Sequence, residues 1–245
     1  MTLLPEFESS LFDAREGSRF WIGIVATFAG EVVRPAEYRA WRMLRANSFI
    51  DARGYLPENA RTADGQETDE FDERAEHLVV IENLGAGRAR ALAGHRLIDR
   101  RRGPLPCEAL FPEAFVDMPA DAPVMERSRV ISEVEDPSVF RATTRAAYLA
   151  AAAGGTTYYY GTVEPWMFKH QKQLGQVGVQ VADERMLAEY NSTNLLVELD
   201  PRATIDQVTA DGAEYPLSAW FRTALATGSD GLGFSSGDQL INLAP

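Results

Sequence analysis

The chain has 245 residues, 45% of them hydrophobic and 24% charged, with a formal net charge of −12. That composition suits one large domain, or a domain with an appendage, and a core that folds without staples. It argues against the broad basic surface that general nucleic-acid binding needs, and a lone cysteine, Cys107, rules out an internal disulfide. The first residues, Met-Thr-Leu-Leu-Pro-Glu, have neither a basic start nor a long apolar stretch, so no secretory signal is expected. No apolar run approaches the ~20 residues of a membrane-crossing helix. A reducing cytoplasm is the expected location.

In chain order, Phe20 to Phe28 is apolar and rich in aromatic and β-branched residues, which predicts a buried strand closed by Gly30. Arg34 to Ala52 predicts a helix with Pro35 in its first turn. Asn59 to Asp69 is polar and reads as a loop. His77 to Ile81 and Arg88 to Ile98 predict two strands, joined by a hairpin over Asn83 to Gly87. Asp99 to Pro106 is a basic loop, and Cys107 to Phe115 a short helix. Val124 to Ile131 predicts a strand. Pro137 to Ala153 predicts an alanine-rich helix, introduced by Asp136 and stopped by Gly154-Gly155. Thr156 to Val163 predicts a strand and Pro165 to Leu174 a helix, followed by late strands at Val177 to Val181 and Asn194 to Leu199. After Asp200-Pro201 the pattern weakens, with a helix over Leu217 to Ala226 and a mobile glycine-rich tail over Gly228 to Gly237 as expectations. This order predicts a mixed α/β sheet with helices on its faces, in residues 1–200, and a C-terminal extension in 201–245.

Several polar groups stand out against this frame. Trp41, Arg45 and Phe49 recur at helical spacing and share a face; the simplest account is two core aromatics and a snorkelling arginine. Asp69 and Asp72 lie three apart in an acidic segment. Such segments are commonly solvated loops, but two carboxylates can also clamp arginines, with Arg45, Arg96 and Arg129 as partners. Glu126 and Arg129 lie three apart on a strand and would face opposite sides unless that strand is bulged or ends there. Charges inside a sheet need partners. His77, His95 and His170 lack metal-ligand spacing, and Gly85-Ala-Gly87 reads as a turn rather than a phosphate loop.

Four segments together resemble one family. Leu44-Arg45 with Phe49 and Tyr55, the run Glu67 to Asp72, Arg96-Leu97 ahead of Gly103-Pro104 and Phe111, and Glu126-Arg127-Ser128-Arg129 follow in order the motifs of the acyl-homoserine-lactone synthases. The resemblance covers roughly residues 38–182. It implies a GNAT-like fold with splayed strands, and transfer of a fatty acyl group from a thioester to the amine of S-adenosylmethionine. It implies no separate cofactor and no metal, with acyl-carrier protein or coenzyme A as the donor partner.

The implied roles follow the motifs. Arg45, Phe49 and Tyr55 would line a lid over the sulfonium, where the family usually has tryptophan at the position of Tyr55. Asp69, Asp72 and Arg96 would shape the acceptor site, with Phe111 and Ser128 as further binding residues. Glu126 would be the base and Arg129 would steady charge or place the acyl carbonyl. The glycine-rich coenzyme loop usual in GNAT proteins is missing after Glu133, as in this family. The donor would then lie between splayed strands near Val124 to Ser132 and Tyr158 to Val163, with Tyr158, Tyr159, Tyr160, Trp166, Met167 and Phe168 either bordering an acyl pocket or packing the core. The basic run Arg100-Arg101-Arg102, and Lys169 with Lys172, could steer an anionic donor or simply be solvated surface. An N-acyl amino-acid synthase of the same superfamily and a non-catalytic acyl-ligand sensor are the alternatives.

Overall fold

A computed structural model describes residues 20–119, 121–133, 137–218 and 221. Its centre is a seven-stranded sheet. The strands are β1 (Phe20–Ala26), β2 (Ala75–Gly85), β3 (Arg88–Asp99), β4 (Val124–Ser132), β5 (Tyr158–Val163), β6 (Gly178–Leu187) and β7 (Ser192–Leu199), in the spatial order β1-β2-β3-β4-β5-β7-β6. Every neighbouring pair is antiparallel except β4 with β5. That parallel pair requires a crossover, and α3 (Pro137–Ala153) provides it. The β2–β3 hairpin turns through Ala86 and Gly87, both at positive φ.

Alternation along the central strands separates two faces. Leu78, Leu92, Met125, Tyr159 and Val197 face α3 and form one core with its Tyr148. The other face is divided. Trp41 of α1 (Pro35–Ala46) packs with Val79, Ile81 and Ile131, while Leu105, Phe111, Phe115, Tyr160 and Leu196 form a separate cluster beside α2 (Pro106–Leu110). The site lies where this divided face meets the β4–β5 junction.

Several expectations need adjustment. The first helix ends at Ala46 and unwinds into wider π turns over Asn47–Ala52. The sixth strand runs on to Leu187 rather than ending near Val181. The pattern does not fade after Asp200-Pro201. Asp200 accepts a hydrogen bond from the Ala203 N–H at 2.8 Å and caps α5 (Pro201–Thr209), a signal present in the sequence. Val208, Leu217 and Phe221 join the α3 core, so the described part of the extension packs on the domain. The N-terminal residues 1–19, most of the helix expected over Leu217 to Ala226, and Gly228 to Gly237 lie outside the described residues. No described helix is long and apolar enough to cross a membrane.

Candidate active site

A notch in the sheet places the first charged residues. A Cβ on Gly94 would sit 2.8 Å from the Trp41 ring and 2.9 Å from the Leu78 carbonyl oxygen, so glycine is what lets the indole approach β3 this closely. The Trp41 indole N–H donates to His77 Nδ1 at 2.9 Å. Burial lowers the His77 pKa to about 3, against the pull of Asp72, and keeps the ring neutral. One turn beyond Trp41, Arg45 points under the sheet's polar face with no exposure.

Here three guanidinium groups face three carboxylates. Arg45 bonds Glu67 through Nε and Asp72 through Nη1, the latter at 2.9 Å. Arg96 Nη1 reaches Asp72 at 2.9 Å and also Asp69, while its Nε donates to Ser128 Oγ at 3.0 Å. Arg129 Nη2 lies 3.0 Å from both Glu67 and Asp69. Burial alone would raise the carboxyl groups of Glu67, Asp69 and Asp72, but the arginines outweigh it and hold all three below the usual range. Of the two readings open for Asp69 and Asp72, a solvated loop or an arginine clamp, the structure shows the clamp. Glu67, in the same segment, joins two of the arginines and is the member that sequence reasoning leaves unassigned.

Glu126 and Arg129 share a site because β4 is distorted in two ways. Arg96 pairs with Ser128 but Gly94 pairs with Ile131, so β4 carries an extra residue there. Arg129 sits at that bulge with φ of 50°. On its other side β4 pairs with β5 only from Val124 to Glu126, opposite Tyr158 to Tyr160, and the two strands then part. Both distortions are what the three-residue spacing of Glu126 and Arg129 demands.

The gap opens a cleft of about 650 Å³, its open mouth included. Phe49, Tyr55, Glu126, Ser128, Arg129 and Glu164 are among its lining residues. Glu126 is buried; the Cys107 backbone N–H holds one of its oxygens at 2.9 Å. Burial raises its pKa, against that hydrogen bond and the charges of Arg96 and Arg129. Phe49 and Tyr55 stand on the π turn and the loop after it, where the Tyr55 and Leu56 N–H groups both donate to the Phe49 carbonyl. Arg129 lies over the Phe49 ring at 5.4 Å. The Tyr55 hydroxyl donates to Glu164 at 2.6 Å, across a separation of 109 residues.

Five sequence-selected site residues do not line the cleft. Arg45, Asp69, Asp72 and Arg96 belong to the ion network beside it, and Phe111 packs in the cluster beside α2, with Arg185 over its ring at 4.6 Å. Arg45 is therefore buried in the ion network rather than part of the cleft surface. Among the tyrosines considered for an acyl pocket, Tyr159 is core, and Met167 does line the cleft. Tyr190, Ser192 and Asn194 complete the wall from β7 and the turn before it; no sequence pattern points to them. No described group of three or more His, Cys, Asp or Glu side chains could hold a metal ion.

No protein-family profile and no curated protein matches the chain in sequence. Solved structures do match. An acyl-homoserine lactone synthase described as CoA-dependent, BjaI, solved with SAM and isopentyl-CoA, superposes with a TM-score of 0.60 at 19% identity, over 83% of this chain and 98% of that one. TofI, in a ternary complex with an inhibitor and MTA, gives 0.56 at 20%, over 75% and 91%. FeeM, an N-acyl amino acid synthase from uncultured soil microbes, gives 0.60 at 14%, over 77% and 95%. With its mixed seven-stranded sheet and splayed β4–β5 junction, this chain has the GNAT-like fold of the acyl-homoserine lactone synthases.

Proposed function

We propose that the chain joins an acyl group, carried as a thioester, to the amine of S-adenosylmethionine and closes the product to an N-acyl-homoserine lactone. The observation that carries this reading is the union, at one splayed strand junction, of a buried carboxylate, Glu126, with a charge-balanced arginine–carboxylate network that ends at Arg129.

In the first step the ammonium of S-adenosylmethionine gives a proton to Glu126, through water. Its lone pair then attacks the thioester carbonyl. Burial raises the affinity of Glu126 for protons, the direction that favours a general base. The carbonyl oxygen becomes an oxyanion close to Arg129, the C–S bond breaks, the thiol leaves with a proton, and an amide remains. In the second step the methionine carboxylate attacks its own γ-carbon. The bond to the sulfonium sulfur breaks, methylthioadenosine departs, and the lactone ring is closed. The protein's share of this step is orientation. Phe49 and Tyr55 offer ring faces to the sulfonium. The donor thiol would be that of coenzyme A or of acyl-carrier protein, entering where β4 and β5 part.

Incubating the protein with acyl thioesters and methyl-labelled S-adenosylmethionine tests this directly. Labelled methylthioadenosine and an acyl lactone of matching mass are expected. A second reading is favoured by Tyr55, whose hydroxyl is tied to Glu164 where the family usually has tryptophan, and by the FeeM superposition. On that reading the acceptor is a free amino acid, and an acyl amino acid forms with no methylthioadenosine.

A further inference from the structure

Arg127 is not used by the mechanism above. It alternates along β4 with Glu126 and Ser128, so its side chain leaves the sheet on the opposite face, toward α3. Its guanidinium lies 5.7 Å from the centre of the Tyr148 ring and 5.8 Å from that of Tyr159. The residue is 2% exposed, yet its Nε, Nη1 and Nη2 all lack a hydrogen-bond partner among the described residues. Ring faces attract a cation but accept no conventional hydrogen bond in the plane of the guanidinium. A buried arginine ordinarily has a carboxylate, and this one has none there.

Its surroundings are short of partners too. His95 feels the Arg127 charge and has neither ring nitrogen satisfied, and the Tyr159 hydroxyl and Thr162 Oγ1 are also unpaired among the described residues. The region is continuous with the cleft. Arg127, Thr162, Val163 and Met167 all line it, and the last two pack in the same apolar core as Tyr148 and Tyr159. Because β4 and β5 part after Glu126, a chain entering from the reaction side has a way through the sheet to this face.

We propose that Arg127 receives the far end of the acyl group and that the preferred donor carries a carboxylate there in place of a methyl. The inference rests on the acyl-thioester reading above and names its substrate class. A carboxylate would give the planar guanidinium a matched, bidentate partner, and the neighbouring donors could complete its hydrogen bonds. A purely hydrocarbon chain would instead leave the charge unpaired in a drier cavity.

The test compares two donors of equal length on the full chain, octanoyl thioester and its ω-carboxylated counterpart, each as coenzyme A and as carrier-protein conjugate, with S-adenosylmethionine. Wild type should show a kcat/KM at least about tenfold higher for the carboxylated donor, a modest fraction of what a site built around a polar group can discriminate. Arg127→Met should move that ratio toward the alkyl donor. Calorimetry with free octanedioate and its uncharged diamide, octanediamide, supplies a readout independent of turnover: only the dicarboxylate should bind, and only when Arg127 is present. A wild-type ratio at or below one overturns the proposal, whether or not the Met variant folds. If no thioester reacts but octanedioate binding still depends on Arg127, the anion site stands and the synthase reading fails.

Discussion

Glu126 and Asp72 are both carboxylates with almost no exposure, and their surroundings drive their protons in opposite directions. Glu126 has burial acting against ionisation, so its folded pKa lies above the usual carboxylate value. In its proposed role as base it must be deprotonated, so kcat should fall as pH drops through that raised pKa. Glu126→Gln should lower kcat by roughly 10²-fold or more and remove this acid limb, while calorimetric affinity for S-adenosylmethionine changes little. Full activity in the Gln variant would end the assignment. Asp72 has two arginines overcoming burial, so its folded pKa is depressed. Its contribution to stability is present above its unfolded pKa of about 3.9 and is lost as pH falls below that value. Asp72→Asn should cost about 3–5 kcal/mol at neutral pH, because Arg45 and Arg96 lose a buried counter-charge, and should flatten the acid side of the stability curve. Denaturant unfolding across a pH series reads both effects. The pairing of Asp69 and Asp72 with arginines is legible from residue types and spacing. Glu67 is harder, because its link to Arg129 spans 62 residues and depends on where a bulge puts that arginine. Arg127 looks in sequence like one more charge in a polar run, and only its burial sets it apart.

At the scale of elements, the indole notch ties the first helix to the ion network beside the cleft. Gly94→Ala would push a methyl group into Trp41 and the Leu78 carbonyl. We expect a loss of about 1–3 kcal/mol from overpacking, together with a higher KM for S-adenosylmethionine as α1 shifts Arg45 and the π turn behind it. Normal stability and KM in that variant would show that the helix can ride outward without consequence. The same scale shows what the sequence could reveal. The hairpin of β2 and β3 and the whole of α3 follow from turn chemistry and composition, both local. The π turn over Asn47–Ala52 does not, because helical periodicity continues through it and only the aromatic groups it presents explain the change. The bulge at Arg129 is inferable from one fact alone, that Glu126 and Arg129 are needed together. The basic run shows the reverse. Arg100 is bound to Glu108 and the Pro119 carbonyl, Arg101 to Asp99, and Arg102 to the Phe28 carbonyl. What reads as a cationic patch is largely committed to holding loops. Glu108, held by Arg100, also accepts from Leu105 N–H at the start of α2, the helix whose Cys107 N–H steadies Glu126. Arg100→Ala should therefore lower kcat more than it raises donor KM.

For the whole molecule, a net charge of −12 with its main basic run engaged internally predicts repulsion toward an acidic carrier protein. Raising ionic strength from low to physiological should lower the KM for a carrier-borne donor, since the Debye length shrinks to about 8 Å. A KM that rises with salt would point instead to a local cationic face that governs the encounter. The sheet itself has an uneven build. Strands β1 to β4 form one block and β5, β7 and β6 another, and only the stretch from Val124 to Glu126 joins them by backbone pairing. Beyond that stretch β4 has no ladder partner on the β5 side, and on the β3 side its pairing is interrupted only at the bulge between Ser128 and Ile131. Deuterium uptake along β4 after Glu126 should therefore be fast at amides that face the gap or lie in the bulge and slow at those paired with β3, and a ligand lodged in the gap should slow the gap-facing set.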